Sequence, residues 1–414
     1  MRRLMTITAA CVIAAAGAPA AALPPEPLIA EAVDASPMVM AAKADLDRAR
    51  ATARRLRVGD YEVVVSGSGG RRTVDDPGAG ESEYTEWNAG LSRTMRLPGK
   101  RSADKKLASL EIEKANAAYA RARRDALLEF VTLWTDWRAA VDASKTARRL
   151  ADDALELADA EGKAVDLGAS RRIYVDQLRA EAGLLSLEAD RKTIEAENAK
   201  ANLAAAFPDL VMPAKPGALD WDEARIAALL METEMAKSAT VREARLALDQ
   251  MEAKAKRVRL DRLPDPTFGV QVANEFGGNE TSIMATVSIP LSGRARSAAA
   301  AEAGSQAVAA AARLRAAELD AARRYDQAKR AARLASKNLN NAENSVITAR
   351  DAMDRLKKGY AMGAVNLSDL TTTRRTLMMT EQALVDYRVA AERAYLTLAV
   401  LNNGFAAPAS HGQF

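Results

Sequence analysis

The chain has few aromatic rings and almost none of the residues that carry most protein chemistry. Phe, Trp and Tyr make up 4% of its 414 residues, with one cysteine and one histidine. The histidine, His411, lies in a terminal stretch of Ala, Pro, Ser and Gly, and the cysteine, Cys11, lies near the start. Little is left for histidine acid–base catalysis, a Cys–His nucleophile or a Cys/His zinc site. The nearest catalytic motif, Gly99-Lys100-Arg101, lacks both the Ser/Thr and the upstream Gly of a phosphate loop. No enzyme, no metal site and no cofactor is expected.

Long apolar runs are also missing. Beyond residue 22 no stretch of about 18 apolar residues occurs, so no helical membrane span is expected. The first residues do form a pattern. Arg2 and Arg3 precede an apolar stretch from Leu4 to Ala16, and Ala20-Ala21-Ala22 offers a small-residue cleavage site, so residues 1–22 read as a secretory signal peptide. Cys11 is then either discarded with the signal or acylated. Thr8 stands three residues before it where a lipoprotein signal has Leu, which favours discard. Without Arg2 and Arg3 the bases fall from 59 to 57 against 55 acids. Such a balance does not select nucleic acid as a partner.

What is present is Ala, Leu, Val, Glu, Lys and Arg. With 49% hydrophobic residues and so few rings, the core must be packed from Ala, Leu and Val. That composition marks long helices or coiled coil. A repeat orders it. Ser36 to Arg57 lines up with Ser238 to Arg259, Leu97-Pro98-Gly99-Lys100 with Leu291-Ser292-Gly293-Arg294, and Leu167-Gly168-Ala169 with Met362-Gly363-Ala364. The length difference between the copies falls between the first two anchors, in the segment that reads as strands.

Each copy starts with a helix (about 28–57, then 222–261) and continues into a β-hairpin. In the first, Tyr61, Val63 and Val65 alternate with other residues, as do Trp87, Ala89 and Leu91, and Gly67–Ser82 reads as a long polar loop. In the second, Phe268, Val270 and Val272 alternate, Gly277-Gly278-Asn279 turns, and Ile283, Ala285, Val287 and Ile289 alternate. Period-two patterns predict strands with one apolar face. Ser102 to Leu167 and Arg296 to Met362 then run without Pro and nearly without Gly. About 65 helical residues span on the order of 100 Å. Ala143, Ala147, Leu150, Ala154 and Leu157, and likewise Leu339, Ala342, Val346, Ala349, Met353 and Leu356, trace coiled-coil seams. Each long helix turns at its glycine, Gly168 or Gly363, and a second helix of about 35–40 residues returns.

The expected organisation is a signal peptide at 1–22 and a first repeat at 23–207 with its β-hairpin at 60–97 and helical hairpin at 101–207. A linker at 208–220 leads to a second repeat at 221–404, with a β-hairpin at 266–291 and a helical hairpin at 294–403. A disordered tail occupies 405–414. The fold class is mainly α with a small β part. Four strands cannot close a barrel and leave exposed edges, whereas three copies supply twelve.

These residues carry a resemblance. Two hairpins in a duplicated helical frame, a glycine at each helical turn, and Leu-Pro-Gly-Lys-Arg closing the first hairpin resemble the TolC family of outer-membrane efflux proteins over nearly the whole mature chain. The resemblance implies a homotrimer whose outer-membrane β-barrel continues into a periplasmic α-barrel. It implies an exit duct fed by an inner-membrane transporter through a periplasmic adaptor protein, with outer-membrane lipid around the barrel. The Leu-Pro-Gly-Lys-Arg element and compact linker resemble the heavy-metal, Czc-type branch, and the cargo would be small solutes or metal ions.

By position, the family's adaptor-docking motif falls on Leu167, Gly168, Ala169 and Ser170, and on Met362, Gly363 and Ala364, with Val365 departing from its last position. The glycines are equally explained as left-handed helix caps. The family's periplasmic gate carboxylate falls on Asp369, and its second carboxylate position is Thr372. Tyr61, Tyr84, Trp87, Phe268 and Phe276 are expected to form a membrane girdle; packing of a small sheet would also use them. The alternatives are a periplasmic adaptor, which would have one hairpin beside a lipoyl-like sheet, and a structural coiled-coil envelope protein, which would lack the strands.

Overall fold

The computed structural model of the chain describes residues 23–402 apart from 60, 79, 218–229, 231–237 and 292. The expected signal peptide, the tail, the end of the linker and the start of the 222–261 helix lie outside the described residues. Those that are described form seven α-helices and four strands. Helices α1 (Glu26–Ala35) and α2 (Pro37–Val58) lead to strands β1 (Val63–Asp76) and β2 (Gly80–Thr94). Helices α3 (Pro98–Asp166) and α4 (Arg172–Ala206) complete the first copy. The second has α5 (Ala239–Leu260), β3 (Thr267–Glu275), β4 (Glu280–Ser288), α6 (Arg294–Ala361) and α7 (Leu367–Leu401). No described helix is long and apolar enough to cross a membrane.

Two compact units divide the chain, and α3 and α6 each contribute residues to both. One unit holds residues up to Ser36 together with Arg124–Thr233 and Tyr325 onward. The other holds Pro37–Arg123 and Glu234–Arg324.

In the first unit the helices pack along the expected seams. Ala147, Ala151 and Ala154 of α3 bury against Ala182, Leu185 and Ala189 of α4. Leu339, Ala342, Val346, Ala349 and Met353 of α6 are buried as well. Spacings of three and four keep these side chains on one helix face, and alanine lets the axes approach closely. The expectation of a core packed from Ala, Leu and Val needs correcting. The largest fully buried side chains include Trp134, Trp137, Phe130 and Phe207. Phe130 lies 5.8 Å from Trp134 and 5.5 Å from Phe207, and Trp134 lies 5.3 Å from Trp137. Offset and edge contacts suit the ring quadrupoles. Spacings of four and three along α3 put all three of its rings on one face. Beside them Arg138 donates to the Gly217 carbonyl at 2.8 Å and pairs with Glu392 at 3.0 Å, which fastens the linker to this core.

In the second unit all four strands form one antiparallel sheet in the order β1-β2-β3-β4. Pairing of β2 with β3 joins the hairpins of the two copies. The first hairpin differs from expectation. Gly67–Ser82 is mostly strand, paired without a break from Gly67↔Ala89 to Asp76↔Gly80. Backbone groups satisfy the ladder whether or not a side chain is apolar, so side-chain alternation stopped short of the true strand ends. β1 and β2 therefore run past the last β2–β3 pair, Trp87↔Asn274, as a two-stranded ribbon.

Candidate functional site

The two helical turns are built alike. Gly168 and Gly363 both have φ of +73°, in the left-handed region that favours glycine. At the first turn Gly168 N–H donates to the Val165 carbonyl at 2.9 Å, and Ala169 N–H to that of Ala164 at 2.8 Å. At the second, Gly363 donates to Tyr360 and Ala364 to Gly359, both at 2.9 Å. This pair of bonds is the Schellman cap, which satisfies carbonyls that a helix end leaves open. Capping leaves the flanking side chains outside. Leu167 is 84% and Met362 77% exposed, and Ala169 and Ala364 are exposed beside them.

The fourth positions of the two turns diverge. Ser170 is half-buried and its hydroxyl donates to Glu161, while Val365 packs against Gly359, where an added Cβ would meet it at 2.7 Å. Buried Glu161 also accepts from the Tyr360 hydroxyl at 2.9 Å. Burial, and then Glu161, push the Tyr360 hydroxyl well above its ordinary pKa. One carboxylate thus takes bonds from the first turn and from the last helical turn before the second. Sequence reading missed Glu161 and Tyr360; Tyr360, three residues before Gly363, was the available signal.

Asp369 is exposed in the first turn of α7, and its N–H donates to the Asn366 side chain at 2.8 Å. Asn366 is the helix cap, and an acid in the first turn suits the helix dipole. By spacing, Asp369 shares a helix face with Thr373, Thr376 and Thr380. These threonines line an open groove with Asn344, Ser345 and Thr348 of α6, and its lining carries no charged side chain. A second seam runs along α4, where Ile173, Ala180, Leu187, Ile194 and Ala201 are exposed at intervals of seven residues, with exposed Leu184 beside them.

The sheet has two unlike faces. Direct pairs put Val65, Leu91, Val270 and Ala285 on one face, flanked by Trp87 and Ile283 toward one end and by Phe268 and Val287 toward the other. Most of these large side chains are about half exposed or more. Ser66, Ser68, Asn88, Ser92, Gln271 and Thr286 occupy the opposite face. The five aromatics expected as one girdle are separated. Trp87 and Phe268 lie on the apolar face. Tyr84 lies on the polar face, because its register with Arg72 gives it the other parity. Phe276 stands in the β3–β4 turn with its ring 5.3 Å from Tyr84. Tyr61 precedes β1, and its hydroxyl donates to Asp265.

Asp265 belongs to a buried charge cluster where the strands meet the helices. Lys100 Nζ, 3% exposed in its side chain, sits 3.1 Å from Asp265 and 3.2 Å from Asp261. Arg257 bonds both Asp104 and Asp261 at 2.5 Å. Arg96 bonds Asp104 at 2.7 Å and donates to the carbonyls of Leu56 and Arg57 at the end of α2. Leu97 N–H donates to Asp265 at 3.1 Å. Burial alone would raise the Asp265 carboxyl; hydrogen bonds from Tyr61, Leu97 and Lys100 outweigh it and hold the group below the usual carboxylate range. Burial and the bond to Asp265 push the Tyr61 hydroxyl up to about 12. The Leu97-Pro98-Gly99-Lys100 element is therefore the corner between β2 and α3. Pro98 opens the helix where no N–H is required, and Lys100 neutralises the acids across it. Among the described residues no three His, Cys, Asp or Glu side chains gather to hold a metal ion.

Solved structures share this fold. VceC, an outer membrane protein of Vibrio cholerae, superposes with a TM-score of 0.75 at 18% identity, over 91% of this chain and 96% of that one. The CmeC outer membrane channel of Campylobacter jejuni gives 0.73 at 14% identity, over 91% and 85%. The MtrE outer membrane channel of Neisseria gonorrhoeae gives 0.69 at 16%, over 92% and 89%. No curated protein sequence matches the chain. The sequence model of the outer membrane efflux proteins matches residues 28–210 and 230–404, nearly the whole described chain. The chain belongs to the outer membrane efflux protein family.

Proposed function

We propose that three copies of this chain close a twelve-stranded barrel in the outer membrane, continued by helices in the periplasm. As a member of its family the chain is the outer-membrane exit duct of a tripartite efflux system. The observation that carries the trimeric barrel is the sheet itself. Its one face is largely apolar and open, its other carries mostly hydroxyls and amides, and among the described residues each edge strand is paired on one side only. An exposed apolar face suits lipid, a polar face suits a water-filled lumen, and closure removes the edges. The second seam on α4 offers a coiled-coil surface to a neighbouring copy.

Within that assembly, Leu167, Gly168, Ala169 and Ser170, with Met362, Gly363 and Ala364, form the docking surface for a periplasmic adaptor. Two rigidly capped turns with projecting apolar side chains support this reading. Asp369 narrows the periplasmic entrance with its symmetry mates, and Trp87 and Phe268 mark the lipid interfaces. The cargo is small solutes or metal ions, carried past mainly polar walls rather than bound. A duplicated pair of hairpins between long helices departs from an adaptor, which would have one hairpin beside a lipoyl-like sheet. Cell fractionation tests the proposal: a heat-resistant, detergent-soluble trimer is expected in the outer membrane. Recovery as a soluble periplasmic monomer would refute it.

A further inference from the structure

At the end of the sheet away from the charge cluster, the polar face carries a group of side chains unlike the rest of its lining. Arg72 lies over the Phe276 ring with its guanidinium carbon 4.9 Å from the ring centre. It pairs with Glu86 at 2.9 Å and with Glu275 at 3.7 Å. Tyr84, directly opposite Arg72 in the β1–β2 ladder, meets the Phe276 ring edge-on. Phe276 N–H donates to Glu86 at 3.3 Å. Phe276 holds φ of +50°, among the described residues the only non-glycine in that region. A bulky residue there carries backbone strain that its surroundings must offset. Here the Glu86 bond, the Tyr84 edge contact and the Arg72 cation fix it, so that its ring stands on the polar face. Between there and the charge cluster that face is uncharged, with Ser66, Ser68, Asn88, Ser92, Gln271 and Thr286 on it beside Val64 and Met284. Gly90 and Gly269 lie on it where an added Cβ would meet Ser66 Oγ at 2.8 Å and Thr286 Oγ1 at 2.7 Å.

We propose that Arg72, Glu86, Glu275 and Phe276 form an outer collar of the conduit that narrows its exit and sets which ions pass. The inference rests on the barrel reading above, in which the polar face lines the lumen. Each copy would bring one cation, three carboxylates (Glu280 lies directly opposite Glu275) and a held aromatic ring to the same level, and three copies would repeat them around the axis. Rings of fixed charge govern ion selection in pores. The Arg72 guanidinium occupies Glu86 and Glu275, which tempers the collar's cation preference while that pairing lasts. It is carried by the strands, whereas Asp369 of the proposed entrance is carried by α7.

Planar-bilayer recordings on the full-length trimer test this. Wild type, Arg72→Gln, Phe276→Ala and Glu275→Gln are compared in symmetric KCl and in a KCl gradient. Arg72→Gln should release the carboxylates and move the reversal potential toward the K⁺ value. Glu275→Gln should move it the opposite way, and Phe276→Ala should raise conductance. A reversal potential and conductance that stay at wild-type values in all three variants, in channels that still open, would overturn the collar. If wild-type protein forms no channel at all, the barrel reading itself fails. Arg72→Lys separates charge from structure: it keeps the cation while losing the planar guanidinium that can bond both carboxylates. It should restore the wild-type reversal potential, and a shift as large as that of Arg72→Gln would count against selection by charge.

Discussion

Replacing Lys100 with methionine should destabilise the protein far more than removing any exposed charge. Methionine keeps most of the length and apolar stem of lysine, so the change isolates the ammonium. That ammonium is almost wholly enclosed and lies within 3.2 Å of both Asp265 and Asp261. Asp261 retains Arg257 at 2.5 Å. Asp265 retains only the Tyr61 hydroxyl and the Leu97 N–H among its bonded donors. Breaking one side of a buried ion pair costs about 3–5 kcal/mol, because the other charge remains desolvated. At about 1.4 kcal/mol per decade, the ratio of folded to unfolded protein should fall by roughly two to three and a half orders of magnitude. Chemical denaturation of the detergent-solubilised full-length protein, followed by circular dichroism, reads this loss. Arg148→Ala is the control: Arg148 pairs with Asp190 at 3.0 Å with both side chains more than half exposed, and should cost less than about 1 kcal/mol. A second substitution tests the cause. Asp265→Asn removes the negative charge, while its oxygen can still accept from the Leu97 N–H and its amide can donate to the Tyr61 hydroxyl oxygen. Combined with Lys100→Met it should recover most of the loss, giving a coupling energy far from zero. If Lys100→Met denatures within about 1 kcal/mol of wild type, the corner cluster does not hold the strands to the helices in the way described.

Three other outcomes follow from the same geometry. The Asp265 carboxyl is held below its ordinary value of 3.8, so its contribution is present above that pH and lost as pH falls through the depressed folded value; acid denaturation of wild type should be steeper below about pH 4 than that of Asp265→Asn, and coincident curves would contradict the assignment. Gly363→Ala meets open space but must adopt φ of +73°, so thermal denaturation should show a backbone cost of about 1–2 kcal/mol, with Gly168→Ala similar; a cost near zero at both would remove the left-handed cap. Asp369→Ala leaves the Asn366 cap intact, because that bond uses the backbone N–H. Bilayer recordings should therefore show higher conductance and weaker block by multivalent cations without loss of folding, and unchanged conductance and block would take Asp369 out of the gate.

What could be read in the sequence was whatever repeats over a few residues. The seam residues Leu339, Ala342, Val346, Ala349 and Met353 are buried in α6 as their spacing requires. Gly168 and Gly363 mark the turns because no other residue tolerates that φ as cheaply. The alternation from Val63 to Val65 and from Phe268 to Val272 gave the strands. The remainder depends on partners far apart in the chain. Tyr61 and Asp265 are 204 positions apart, and Lys100 reaches an aspartate in the other copy of the repeat. No local period encodes such a pair. Side-chain alternation also ended at Val65 although the backbone ladder continues to Asp76. Beyond the apolar band nothing selects for an apolar face, while the hydrogen bonds persist. The same reasoning explains the divided aromatics. A ring within an alternating strand inherits its face from parity, so Trp87 and Phe268 could be assigned, whereas Tyr84, three residues from Trp87, falls on the opposite side. Rings near strands are thus informative about lipid only together with register. The Phe130, Trp134 and Trp137 cluster carries the opposite lesson. Its spacing of four and three is legible on α3, and where aromatics are scarce three rings on one helix face are a concentrated core.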